Sequence, residues 1–346
     1  MRLLSVSQIL YGSAAFTAAA ASPRPTEEDD TPLPLVIWHG TPTLRPISPS
    51  PPPPSSETNK HTCPPGLGDS FDGDGMQDIA ALAEQVHPGT FVHTIRLGSD
   101  SNADRTASFY GNVTSQLADV CATLAAHPIL STAPAIDALG FSQGGLFLRA
   151  YAERCNTPPL RSLVTLGSPH TGITTFKDCG AADLLCKGAM ALLKFNTWSS
   201  FVQGRLVPAQ YFRDAAGDYD AYVESSNFLA DVNNEREGKS AAYARNLAGL
   251  ERFVMYMFED DTTLIPKESA WFEDVNGSVS TPLRGSELYK EDWLGLRELD
   301  RKGAMEFRSV PGDHMQVSEE ELRRAMKAYF GPYGKTFESV VGDDEL

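Results

Sequence analysis

Short apolar runs bounded by turn residues alternate along this chain with longer stretches of helical period. Leu35-Val36-Ile37-Trp38 is wholly apolar and ends at His39-Gly40, which predicts a short buried strand. Residues 75–86 read as a helix, and residues 91–97 alternate as a strand does. Within residues 108–126, Val113, Leu117, Val120, Cys121 and Leu124 recur at helical spacing. Residues 135–141 predict a strand running into a Gly-rich turn, residues 145–154 a helix, and residues 160–166 another buried strand. The long stretch 176–250 carries helix and loop signals with few strand signals. Strand character returns in Phe253-Val254-Met255-Tyr256-Met257-Phe258 and in residues 306–310, and residues 318–330 close with a helix. Strands alternating with helices in this way predict a mainly parallel sheet covered on both faces, an α/β fold. In that frame, residues 176–250 are expected as a helical insertion capping the sheet.

Composition departs from this pattern at the flanks and at one internal stretch. Arg2, the modestly apolar residues 3–16 and the small residues 18–21 read as a signal peptide over residues 1–21. Its apolar run is too short to span a bilayer, and no later segment does better, so no transmembrane span is expected. Residues 22–33 are rich in Pro and acidic residues, a flexible leader, and residues 332–346 form an acidic tail. Between them, residues 34–331 suit one enlarged domain. The exception is 41–67, where Pro51 to Pro54 sit among Ser, Thr and Asn; that composition builds no core and reads as an exposed loop. The five cysteines suggest two pairs and one left over, which fits an oxidising compartment. Sequons at Asn112-Val-Thr and Asn276-Gly-Ser mark candidate glycosylation sites on the same route. A net charge of −16 disfavours nucleic acid as a partner. With no metal-ligand cluster or dinucleotide fingerprint in the sequence, no metal and no cofactor are expected.

The candidate chemistry centres on Gly140-Phe141-Ser142-Gln143-Gly144. A G-x-S-x-G match alone says little, but this one follows a predicted strand and precedes a predicted helix. That is the setting of a nucleophile elbow, which exposes the Ser142 hydroxyl beside backbone N–H groups able to stabilise an oxyanion. In α/β-hydrolases the acid and then the base follow the nucleophile along the chain. Of seven histidines only His170 and His314 lie after Ser142. His170 ends the very next strand and leaves little room for an acid before it. His314, in the turn between the last strand and the last helix, is the expected base. Asp261, after the strong strand 253–258, is the expected acid, with Asp260 as the alternative; Asp313 reads as a turn residue.

These residues match a known family. Gly-Phe-Ser142-Gln-Gly-Gly-Leu-Phe-Leu-Arg-Ala resembles the nucleophile region of palmitoyl-protein thioesterases, the lysosomal type 1 enzyme in particular. The likeness continues through Asn112-Val-Thr-Ser-Gln, Arg154-Cys-Asn-Thr-Pro-Pro, Phe228-Leu-Ala-Asp-Val-Asn-Asn-Glu-Arg, Phe253-Val-Met and Gly312-Asp-His-Met-Gln-Val-Ser-Glu-Glu. The resemblance implies an α/β-hydrolase that releases long-chain acyl groups from S-palmitoylated proteins or peptides, with a triad of Ser142, Asp261 and His314. It also implies the disulfides Cys121–Cys155 and Cys179–Cys186, leaving Cys63 alone, and a lysosomal or vacuolar destination. Part of 176–250 would form an acyl-chain groove, to which Leu184, Leu185, Met190, Leu192, Leu193 and Phe201 offer apolar material.

The chain departs from the family's pattern in two places. The family runs from His-Gly almost directly into Gly-Asp-Ser, whereas here Gly40 and Gly68-Asp69-Ser70 are separated by the Pro-rich insertion. Beside the N–H of Gln143, the second oxyanion donor therefore stands open between Thr41 and Leu67. The insertion itself reads as a tolerated surface loop, a lid or a translated intron. At the C-terminus, Asp-Asp-Glu-Leu346 resembles an endoplasmic reticulum retention signal. Two further functions stay open on this reading: a lipase or carboxylesterase acting on oxyesters, and an inactive lipid-binding relative.

Overall fold

The computed structural model of this chain describes residues 30–40, 70–175, 187–188, 191, 193, 196–213, 217, 219–276 and 279–337. The expected signal peptide, most of the leader, the insertion 41–67 and the tail beyond 337 lie outside the described residues.

Among the described residues, eight strands follow in chain order: β1 (Leu35–Trp38), β2 (Val92–Thr94), β3 (Ile136–Phe141), β4 (Leu160–Leu166), β5 (Arg252–Phe258), β6 (Asp274–Asn276), β7 (Val279–Thr281) and β8 (Met305–Val310). Six of them form one parallel sheet in the order β2-β1-β3-β4-β5-β8. Successive side chains on a strand point to opposite faces, and here both faces are dry. Val36 and Trp38 join Ala138, Leu163 and Met255 on one face, covered by α3 (Val113–Ala126) and α4 (Gln143–Arg154). Leu35 and Ile37 join Leu139, Val164 and Tyr256 on the other, covered by α1 (Asp74–Val86) and the closing helix Glu319–Tyr329. This is the expected α/β architecture, and it explains why the strands read as unbroken apolar runs.

Several boundaries differ from expectation for local reasons. The helix expected over 108–126 starts only at Val113, because Asn112 caps it, its side-chain oxygen accepting the N–H of Ser115 at 3.1 Å. The strand expected over 91–97 is cut to three residues; beyond it, the N–H groups of Leu97 and Gly98 turn to the Asp104 carboxylate. That carboxylate belongs to α2 (Ser101–Ala107), a polar helix with no apolar period to announce it. β6 and β7 pair antiparallel, two three-residue strands too short to leave a periodic signal in the sequence. Helix α4 begins at Gln143, two residues before the expected start.

The cap expected over 176–250 is only partly a cap. Among its described residues there is no named strand, but Phe228, Leu229, Ala230, Val232 and Leu247 are fully buried in the main core, with Phe228 edge-on to Phe147 of α4 at 5.5 Å. This part covers the sheet itself. The leader and tail boundaries also shift, because Leu33 is buried and its N–H bonds to the Gly331 carbonyl at 3.0 Å. Pro32 bridges to Pro332 beside that bond, so both flanks begin packed on the body.

Candidate active site

The chain leaves β1 toward one edge of the sheet and, from β3 onward, builds toward the other. The C-terminal ends of neighbouring β1 and β3 therefore flank the switch point, where open α/β sheets form their crevices. Ser142 stands there, directly after β3. Its backbone is left-handed, with φ 51° and ψ −128°, a strained geometry for a residue bearing a side chain. Between residues 135 and 153 it is the one residue not buried.

Close packing explains the glycines around it. A Cβ on Gly144 would lie 2.4 Å from the carbonyl oxygens of both Trp38 and His39, and one on Gly140 would lie 2.3 Å from Gly145 Cα. Only bare backbone lets α4 pack this tightly on β1 and β3. Gln143 opens α4, so its N–H has no partner within the helix and is free for an anion beside Ser142. Its side chain is buried and held at both ends, Nε2 donating to the Ser108 carbonyl at 3.2 Å and Oε1 accepting from the Tyr211 hydroxyl at 3.1 Å.

Strands β5 and β8 pair with Phe258 opposite Val310, so the loops that follow them leave the same edge of the sheet side by side. From these loops come Asp261 and His314. His314 Nε2 lies 3.0 Å from Ser142 Oγ, and His314 Nδ1 lies 2.6 Å from Asp261 Oδ2. The other oxygen of Asp261 accepts the N–H groups of Thr263 and Leu264, each at 2.8 Å. Both the histidine and the aspartate side chains of this pair are almost fully buried. Asp260 is exposed, and its backbone N–H bonds to the Gly312 carbonyl at 3.0 Å. Asp313 ties the two loops together, a role its reading as a turn residue did not capture: Oδ1 accepts from Thr262 N, Thr262 Oγ1 and His314 N.

His170 lies elsewhere. It is fully buried, stacked on Phe272 at 4.6 Å, and its Nε2 is 3.1 Å from Thr165 Oγ1. Burial, and then the charge of Arg149, hold its pKa well below 6.5, so it is a neutral core histidine.

The remaining site expectations divide. Cys121 and Cys155 are joined in a disulfide. Thr41, Leu67, Cys63, Cys179 and Cys186 lie outside the described residues, as do Leu184, Leu185, Met190 and Leu192. Leu193 is buried in a small cluster with Phe109, Val202 and Leu206, whereas Phe201 is exposed. Asn112 caps α3, and Asn276 ends β6. Among the described residues, no helix is long and apolar enough to cross a membrane.

An anchored serine–histidine–aspartate chain is shared by many hydrolases, so comparison with known proteins decides the family. The family described as Palmitoyl protein thioesterase matches residues 34–314. This chain belongs to that family. The palmitoyl-protein thioesterase 1 of Caenorhabditis elegans is 36% identical over 259 residues, 74% of this chain and 86% of that protein. Palmitoyl-protein thioesterase 3 of Dictyostelium discoideum is 31% identical over 262 residues, 74% of this chain and 85% of that protein. A palmitoyl-protein thioesterase-dolichyl pyrophosphate phosphatase fusion from Schizosaccharomyces pombe is 32% identical over 302 residues, 86% of this chain but 43% of the fusion. In the palmitoyl protein thioesterase family match, Ser142, Asp261 and His314 all fall within the matched span.

Proposed function

We propose that this chain is a palmitoyl-protein thioesterase, a serine hydrolase that removes long-chain acyl groups from S-acylated cysteines of proteins or peptides. The observation that carries the reading is the unbroken chain from Ser142 Oγ through His314 to Asp261, in a member of this family. Ser142 is the nucleophile. As its oxygen attacks the acyl carbonyl, its proton passes to His314 Nε2, while Nδ1–H donates to Asp261 and fixes the tautomer. The oxyanion is met by the N–H of Gln143 and by a second donor, Thr41 or Leu67. Collapse of the tetrahedral intermediate expels the cysteine sulfur, which takes the proton from His314. A water deprotonated by His314 then attacks the acyl-serine ester, and the fatty acid leaves as Ser142 recovers its proton.

A thiol of pKa about 8.5 is a better leaving group than an alcohol, so the triad serves thioesters well without requiring them. The test compares a palmitoyl-cysteine peptide with a matched palmitoyl oxyester, alongside a fluorophosphonate probe. Thioester preference, with probe labelling abolished in Ser142→Ala, is expected. Equal or reversed preference would make the protein an esterase, and a folded wild type that never labels would make it a non-catalytic relative.

The same proposal places the protein on the secretory route, ending in lysosome or vacuole. The Cys121–Cys155 disulfide supports an oxidising compartment, and Asn112 and Asn276 are the glycosylation candidates. Retention through the terminal Asp-Asp-Glu-Leu would instead leave endoglycosidase H-sensitive glycans on the mature protein.

A further inference from the structure

Asp104, on α2, is fully buried, and each of its oxygens is occupied twice. Oδ1 accepts the N–H groups of Leu97 at 2.6 Å and Gly98 at 3.1 Å. Oδ2 accepts the N–H of Phe71 at 2.9 Å and lies 2.8 Å from His39 Nε2, also fully buried. The His39 contact is close without being a straight hydrogen bond. Burial alone would raise the pKa of this carboxyl. The close contact and charge of His39, with the N–H groups of Leu97 and Phe71, outweigh it and hold the pKa below its ordinary value.

The partners matter for where they lead. His39 Nδ1 is 3.0 Å from the carbonyl of Gly40, and Gly40 presses so closely on Ser142 that a Cβ there would stand 2.6 Å from Ser142 Cβ. One carboxylate thus meets the His39 side chain at the end of β1 and the backbone N–H of Phe71, 32 residues further along the chain. Immediately after α2, the Ser108 carbonyl accepts the side chain of Gln143, the residue that opens α4 beside Ser142.

We propose that Asp104 is a positioning residue for the Ser142 site: through His39 it holds Gly40 against the nucleophile, and through α2 it holds Gln143. The proposal rests on reading Ser142 as the nucleophile and adds a residue remote in sequence from the triad. Because the backbone beside Ser142 contributes most when charge develops on the acyl oxygen, loss of Asp104 should lower kcat and leave KM nearly unchanged.

The test measures kcat and KM on a palmitoyl-cysteine peptide for wild type and Asp104→Asn, expressed per site labelled by a fluorophosphonate probe taken to completion. An amide supplies one acceptor oxygen where two oxygens now serve three backbone N–H groups and the contact with His39. The expected result is a fall in kcat per labelled site of about ten- to hundredfold, with KM within about twofold. His39→Gln leaves Asp104 and its three backbone bonds in place, should fall in the same direction by less, and decides the matter if Asp104→Asn does not fold. A folded variant that turns over within about twofold of wild type per labelled site overturns the proposal. So does a loss seen only as fewer labelled sites, since that marks support of the fold alone. The rate of probe labelling needs no thioester, and slower labelling of Asp104→Asn is expected even if the preferred substrate is an oxyester.

Discussion

Asp313 Oδ1 accepts the backbone N–H of Thr262 at 2.9 Å, so the loop bearing Asp261 is tied to the loop bearing His314. The same oxygen accepts the Thr262 hydroxyl and the N–H of His314. Asp313→Ala removes all three bonds and should lower kcat by roughly tenfold through drift of His314 relative to Ser142. Asp313→Asn can keep all three through its amide oxygen and should lose much less. Equal kcat for Ala and wild type in steady-state assays would show that the two loops hold their geometry without this brace.

Asp260 and Asp261 are separated by one peptide bond and differ in what they touch. Asp261→Asn replaces the oxygen facing His314 Nδ1 with an amide that cannot fix the tautomer, and kcat should fall by about four orders of magnitude. Asp260→Asn alters an exposed side chain and should leave kcat within about twofold. The reverse order of effects would reassign the acid.

Gly144 faces two backbone carbonyls, which cannot swing aside as a side chain can. Gly144→Ala should therefore destabilise the fold by at least about 1–3 kcal/mol, read as a lowered melting temperature with loss of probe labelling. Wild-type melting in this variant would mean that α4 and β1 can separate freely.

The Cys121–Cys155 bond joins the last turns of α3 to the end of α4, 34 residues apart. Closing a loop of that length stabilises by roughly 3–4 kcal/mol in the chain-entropy view. The double variant Cys121→Ser, Cys155→Ser should lose about that much in denaturant unfolding. A loss below about 1 kcal/mol would show that packing between these helices already supplies the constraint.

Glu153 is fully buried and bonded to Arg149 at 3.0 Å. Burial pushes its pKa from 4.5 up to about 7, with the charge of Arg149 offsetting only part of the effect. Between pH 4.5 and 7 the folded state thus holds a proton that the unfolded chain releases, so this group's contribution improves as pH falls through that window. Asp137, paired with Arg161 and pushed up to about 6 by burial, acts in the same direction. His170 opposes both. Its pKa is depressed, so below pH 6.5 the unfolded chain takes up a proton that the fold refuses, and stability is lost as pH falls. Melting curves at pH 5 and pH 7 should show Glu153→Gln gaining less, or losing more, than wild type on acidification. Parallel pH dependence in the two proteins would remove Glu153 from the account.

The legible part of the fold was the part with strong local signals. β1, β3, β4 and β5 are dry on both faces and so read as continuous apolar runs, while Ser142 was marked by glycines that its close-packed turn requires. The illegible part was polar. α2 reads Ser-Asn-Ala-Asp-Arg-Thr-Ala, without an apolar stripe, and its buried Asp104 looks like any surface aspartate until Phe71, Leu97 and His39 close around it. His39 is illegible for a related reason: it precedes Ser142 along the chain, and nothing local marks its buried contact with Asp104.

What the amino-acid sequence determined by itself was the strand-turn-helix at Ser142 and the place of His314 after the last strand. Apolar period and glycine spacing act over a few residues, where neighbouring side chains dictate backbone geometry. Asp261 is already the expected acid from order along the chain and from the resemblance; the assembled sheet adds the contact itself, His314 Nδ1 to Asp261 and not to Asp260, and it alone shows that Asp104 stands behind Gly40. Those outcomes depend on Phe258 pairing with Val310 and on α2 packing against the end of β1, contacts whose partners are far apart along the chain and meet only when the sheet is assembled.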